Sequence, residues 1–253
     1  MNDHIHTIPV LDALRAPCHC PFCEMYKKLD TDAVDFIMGP AYMDETIRPE
    51  TDKAGFCAEH LQKLFAAQNR LGMAMLMHTH LRHFRNNLEK ASGSFSNEKK
   101  SEGVAGFFKN NFASKSTSSE KSAIGKTVAL IEAQQSKCYC CERIDTTFAR
   151  YMDTFFYLWK KEREMIDLVK SVPGFCITHY GAMLQAAETI LSQSKLDEFL
   201  KIVVPLQQRA MEKMDEDLDW FIQKFDYRNA NAPWKDSKDA VPRAMAMLKG
   251  IEE

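Results

Sequence analysis

Apolar residues along this chain return every three or four positions and almost nowhere every second one. That period marks helices that bury one face, not strands. Between 56 and 90, Phe56, Leu61, Leu64, Phe65, Leu71, Met75, Leu81, Phe84 and Leu88 fall mostly on one such stripe. Similar patterns cover roughly 22–38, 141–171, 176–192 and 195–227, and a shorter one near 239–250 predicts a last helix docked on the body. Turn signals are sparse, with 10 Gly and 9 Pro in 253 residues. The pattern predicts an all-α protein.

The periodicity stops between 91 and 123, where "ASGSFSNEKKSEGVAGFFKNNFASKSTSSEKSA" turns rich in Ser, Lys and Gly. Such a composition buries too little apolar surface to offset the entropy of ordering. It reads as a flexible connector, with "GVAGFFKNNF" either packing loosely on its own domain or docking on a partner or membrane surface. The expected organisation is a first helical half at 1–90, the connector at 91–123, a second helical half at 124–228 and a tail at 229–253.

Cysteine and histidine repeat across that connector. Cys20 and Cys23 form CxxC and are followed by Cys57 and His60 as CxxH; Cys138 and Cys141 are followed by Cys176 and His179 in the same order. Both CxxC positions recur at an offset of 118 residues and both CxxH positions at 119, and Glu24 and Phe56 recur as Glu142 and Phe175. Two copies at this spacing indicate a duplicated domain and not a solenoid, whose units run to about 20–50 residues.

These residue types suit a tetrahedral zinc ion. CxxC aims two thiolates at one point about 2.3 Å away, and a Cys and a His three apart share a face at the start of a helix. Gly55 and Gly174 stand where the chain turns into that helix. The expectation is one Cys3His zinc site in each half, Cys20, Cys23, Cys57 and His60 in the first, then Cys138, Cys141, Cys176 and His179 in the second. Four protein ligands leave no position for a reactive water, which favours a structural ion over a catalytic one. The competing reading treats these cysteines as small buried hydrophobes. In "CYCC", Cys140 competes with Cys138 for the ligand position, and Cys18, His19 and Cys140 are further soft groups beside the motifs. A spare thiol able to exchange into the site would make a redox sensor, and iron–sulfur ligation is a separate alternative.

Other motifs carry less. "CPFC" resembles a thiol-oxidoreductase site, but a helical pattern precedes it where a strand is required. Met73, Met75 and Met77 spread around a helix, which weakens a copper reading of "GMAMLMHTHLRH". "MDEDLDW" at 214–220 reads as a solvated face, "GKT" at 125–127 lacks the earlier glycine of a phosphate loop, and His4 and His6 carry little weight near the terminus. No HExxH, GxSxG or paired-carboxylate constellation stands out, so the reading leans away from an enzyme. The formal net charge of −2 gives no general attraction to nucleic acid or anionic membrane. "MNDHIHTIPVLDALRA" has no signal-peptide pattern and no stretch is long and apolar enough to span a bilayer, so the expected compartment is the cytoplasm, where clustered cysteines serve metals or redox chemistry more often than disulfides.

Together, "CPFCEMYKKLD", "AGFCAEHL", "PGFCITHY" and the closing "WKDSKDAVPRAMAMLKG" resemble a bacterial domain-of-unknown-function family of about this length. The resemblance implies a cytoplasmic bacterial setting and carries no assigned activity, substrate or partner. The combined expectation is a helical protein with two structural zinc ions, acting as a binding or adaptor protein toward an unknown protein partner. The alternative is a zinc–thiolate redox or metal sensor.

Overall fold

A computed structural model describes residues 3–92 and 123–250, so nearly all of the 91–123 connector lies outside the described residues. Among the described residues there are eleven α-helices and no strand. They are α1 (Asp3–Arg15), α2 (Pro21–Met38), α3 (Arg48–Ala54), α4 (Ala58–Ala66), α5 (Arg70–Ser92), α6 (Ala123–Gln135), α7 (Tyr139–Lys161), α8 (Arg163–Ser171), α9 (Ile177–Ile190), α10 (Gln193–Gln223) and α11 (Ala240–Lys249). No helix is long and apolar enough to cross a membrane among these residues.

Two of the long stripes are broken where the backbone explains it. The 56–90 pattern divides into α4 and α5 because Gln68 takes a left-handed φ of 64°. Asn69 then restarts the helix, its Oδ1 accepting the Gly72 N–H at 2.9 Å while its Nδ2 donates to the Met38 carbonyl at 2.8 Å. The 141–171 pattern divides at Glu162, which is extended and caps α8. The three-and-four spacing of apolar residues survives both breaks, which is why the pattern alone does not reveal them.

The chain forms two compact units. One joins Met1–Leu29 to Asp145–Glu253, and the other is Asp30–Ile144. Their boundaries fall inside α2 and inside α7, so they do not coincide with the two halves of the sequence. In the larger unit Phe22, Phe155, Phe156, Trp159, Phe175 and Phe199 are almost wholly buried. Phe22 lies 5.2 Å from Phe155 and 5.8 Å from Phe175, and Trp159 meets Phe199 edge-on at 4.9 Å. Helix α11 packs on α9 and α10 within this unit. The smaller unit centres on aliphatic residues, Ile37, Leu64, Leu76 and Ile144. Its core is correspondingly thinner, which matters for what a metal must supply there.

Candidate metal centres

Each of the four motifs occupies the same local structure, the opening turn of a helix. Cys57 and Cys176 are the N-caps of α4 and α9, with His60 and His179 three residues on. The CxxC pairs repeat this arrangement, since Cys20 and Cys138 immediately precede α2 and α7 while Cys23 and Cys141 lie in the first turn. Carbonyls of all four leading cysteines accept the first helical bond, from Leu61, Tyr180, Glu24 and Glu142. A proline opens α2 at Pro21, where a missing N–H costs nothing. Helix starts carry partial positive charge, which favours thiolates there.

The motifs assemble in a crossed way. Cys20 and Cys23 meet Cys176 and His179, whereas Cys57 and His60 meet Cys138 and Cys141; within each group the donor atoms lie within 4.8 Å of one another, a set that could hold a metal ion. This corrects the expectation that each sequence half would complete its own site. The physical reason is the reach of α2. His60 is held by Asp30, seven residues and about 10 Å of helix beyond Cys23, too far for both to bind one ion. The backbone N–H of Tyr139 instead donates to the Gly55 carbonyl at 2.9 Å, and Gln134 Nε2 donates to the Ala54 carbonyl at 3.0 Å. These bonds bring the second CxxC against the first CxxH.

In the first centre the Sγ atoms of Cys23 and Cys176 are 3.5 Å apart, and His179 Nδ1 lies 3.4 Å from Cys23 Sγ, 3.3 Å from Cys176 Sγ and 3.9 Å from Cys20 Sγ. In the second, Cys57 and Cys141 are 3.9 Å apart, and His60 Nδ1 lies 3.2 Å from Cys57, 3.4 Å from Cys138 and 3.4 Å from Cys141. None of the eight cysteines is in a disulfide. Cys140 lies outside both four-atom groups although its side chain is wholly buried. Cys18 also stands apart, its thiol directed to the Ala13 carbonyl at 3.7 Å.

Hydrogen bonds within each group drive the thiols' affinities for protons apart. Hydrogen bonding from Cys20 and Cys23 holds the Cys176 thiol far below the ordinary range, while Cys20 is pushed up to about 11 and Cys23 well above that, each chiefly by its bond to Cys176. In the second centre a bond from Cys140 draws Cys138 down, burial pushes Cys141 up, and the Cys138 contact raises His60 to about 9. A cation entering either group therefore displaces protons, so its affinity must fall as pH falls.

The surroundings of the two histidines differ. His60 Nε2 bonds Asp30 Oδ1 at 2.9 Å, and Lys63 Nζ donates to Asp30 Oδ2 at 2.8 Å. A carboxylate on the far side of a ligating imidazole fixes its tautomer and raises its basicity. Phe148, offset from Asp30 by the same 118 residues that separate Cys20 from Cys138, takes the corresponding place in the first centre. There the His179 ring is flanked by Phe148 at 5.2 Å, Phe22 at 6.0 Å and Tyr26 at 6.2 Å. Asp30→Asn should accordingly weaken metal retention at the second centre by about 10–100-fold, leaving the first unchanged, as read by competition with a chromophoric chelator.

Three further residues hold the loops that enter these centres. A Cβ on Gly55, whose φ is 65°, would stand 2.6 Å from the His80 ring, so neither the backbone angle nor the space admits a side chain. His80 itself donates from Nδ1 to the Asp52 carbonyl at 2.8 Å, and His83 accepts from Asn87, so the histidines of α5 answer to separate partners. In the first centre, Pro21 occupies the position of Tyr139 and has no N–H to give. Buried Gln207 takes over the fastening, accepting the Phe175 N–H at 3.0 Å and donating to the Phe175 carbonyl at 2.9 Å. Gln207→Leu should cost about 2–4 kcal/mol by denaturant unfolding, because both backbone groups of Phe175 lose their partner in a dry environment. Finally, Gly250 ends α11 in a left-handed conformation, and a Cβ there would lie 3.5 Å from Cys23 Sγ and 3.8 Å from Cys176 Sγ. The tail thus covers the sulfurs of the first centre, a contact that the sequence pattern does not reveal.

A family model described as "Family of unknown function (DUF6062)" matches residues 1–253, and the chain belongs to that family. No curated protein and no solved structure matches the chain.

Proposed function

We propose that this DUF6062 chain is a zinc protein whose two Cys3His centres are structural, and that it works as a non-enzymatic binding or adaptor protein. The single observation behind the reading is the spacing of donors. A tetrahedron with zinc–sulfur bonds of about 2.3 Å has sulfur–sulfur edges of about 3.8 Å. The separations of 3.5 Å and 3.9 Å between cysteine sulfurs bracket that edge. A multinuclear iron–sulfur cluster would hold its cysteines further apart than a single ion does. The donor set of three thiolates and one imidazole is the chemistry of closed structural zinc, leaving no open position for substrate or water.

The proposed ligands are Cys20, Cys23, Cys176 and His179 for one ion and Cys57, His60, Cys138 and Cys141 for the other. Each ion would carry a site charge of about −1, partly offset by the two helix starts that face it. Native mass spectrometry of anaerobically purified protein should give two zinc ions per chain, both retained through mild peroxide. Iron with visible absorbance would overturn the zinc assignment.

One observation favours a second reading. Cys140 is wholly buried beside the ligand Cys138, where a sulfur–sulfur bond would remove that ligand. A redox sensor would eject one zinc in peroxide and show a Cys138–Cys140 linkage by peptide mapping. Retention of both ions disposes of that reading.

A further inference from the structure

Apart from the metal centres, the larger unit contains a cavity of about 880 Å³. That volume suits a small organic ligand, since such sites commonly span about 300–1,000 Å³. Its walls come from α1 and the turn into α2, from α8 and the segment after it, and from α10 and α11. Apolar surface is supplied by Leu14, Phe175, Leu206 and Met247. The charged lining has one sign: Arg15, Lys170, Arg209, Lys213 and Arg243 line the cavity, and no aspartate or glutamate does.

The carboxylates that partner these cations stand outside the lining. Asp217 holds Lys213 at 2.7 Å and Arg243 at 3.0 Å, Asp236 lies 3.2 Å from Lys213, Asp239 lies 3.0 Å from Arg243, and Glu164 holds Arg15 at 3.0 Å. Lys170 is 3.8 Å from Asp167. Glu164 and Asp167 are exposed, at 73% and 78%, against 49% and 55% for the Arg15 and Lys170 they pair with, so water and salt screen the carboxylates more than the cations. Among the described residues Arg209 has no ion pair at all. Its planar guanidinium is suited to two parallel bonds with an oxyanion.

We propose that this cavity binds a small amphipathic oxyanion, an apolar body carrying a carboxylate or phosphate group, with Arg209 as the principal contact to the charged head. Cations on several walls favour an anion over neutral or positively charged ligands of the same shape, and the apolar walls favour a ligand with an apolar body over a small inorganic ion. The site is independent of the zinc reading, because none of the proposed metal ligands lines it.

The test is calorimetric titration of the full metal-loaded chain with octanoate, octyl phosphate and octanol. At least one anion should bind one to one and at least about tenfold more tightly than octanol, with affinity falling as salt is raised. Preference for octanoate identifies a carboxylate ligand class, and preference for octyl phosphate a phosphate class. Arg209→Gln should weaken the anion about tenfold or more and leave octanol unchanged, whereas Arg150→Gln, exposed on α7 and not part of the lining, should change neither. Arg209 is exposed, so the variant should keep its metal content and unfolding midpoint; Lys170→Gln gives a second reduction of charge on another wall. Equal binding of octanol and the anions, no binding by either anion, or wild-type affinity in Arg209→Gln would each overturn the proposal.

Discussion

Replacing Cys57 and Cys138 together by serine should cost the protein one metal ion, and replacing Cys57 and Cys20 together should cost both. The crossed grouping makes the first pair members of one centre and the second pair members of two. Ligands completed within each sequence half would reverse the outcome, so counting ions by native mass spectrometry decides between the arrangements. Loss of the ion should fall hardest on Asp30–Ile144. Structural zinc contributes on the order of 10–16 kcal/mol of apparent binding free energy, against a net domain stability of about 5–15 kcal/mol. The smaller unit has a mainly aliphatic core around Ile37, Leu64, Leu76 and Ile144 to set against that loss. Cys57→Ser should therefore abolish slow hydrogen exchange in α4 and α5. Cys20→Ser should leave protection in α7 and α10, where Phe155, Phe156, Trp159 and Phe199 pack without help from the metal.

The helices of this fold are legible because a helix needs only a period, and the period is written in the apolar residues. The breaks at Gln68 and Glu162 are not, since each is a change of backbone angle at a residue type that helices also accept. The identities of the eight candidate ligands are likewise legible. Soft donors three apart at the openings of helices announce themselves whether or not the partner pair is known. Their grouping is hidden for a reason peculiar to duplication. Either CxxC satisfies either CxxH equally well by residue type, and only the length of α2 and the bonds of Tyr139 and Gln134 to the chain before Cys57 choose between them. Asp30 and Gln207 escape notice because each sits in the middle of a long helix. There an acid or an amide ordinarily faces water, and nothing in the local pattern says that these two turn inward.

Duplication also explains how the centres came to differ. Once two copies share a chain, each site can change its surroundings without the other. The second centre keeps a carboxylate and a lysine behind its histidine, while the first surrounds its histidine with aromatic rings and is covered by Gly250. Those surroundings set how readily water and competing ligands reach the metal. The aromatic centre should release its ion more slowly to a chelator, even if both bind with similar strength. Two phases of zinc release, the faster assigned to the second centre by its absence in Cys57→Ser, would express that difference.

A cut in the chain between 93 and 122 should leave the protein in one piece. Each candidate metal centre draws two residues from before that stretch and two from after it, so an ion in each would tie together the sequences that the cut separates. A protease site inserted there and cleaved in the folded, metal-loaded protein should give fragments that coelute on a sizing column. Excess chelator should then weaken that association, so that coelution fails on dilution or the fragments precipitate as apolar surface is exposed. The backbone bond of Tyr139 to Gly55 and the side-chain bond of Gln134 to Ala54 cross the same division and contribute only about 1–3 kcal/mol together, and the packing of Phe22 on Phe155 and Phe175 crosses it as well. An ion in each centre would add on the order of 10–16 kcal/mol of apparent binding free energy, so its removal should weaken the association of the fragments far more than the loss of either bond. Separation with metal still bound would mean that each fragment completes a site alone, and the crossed arrangement would fall with it.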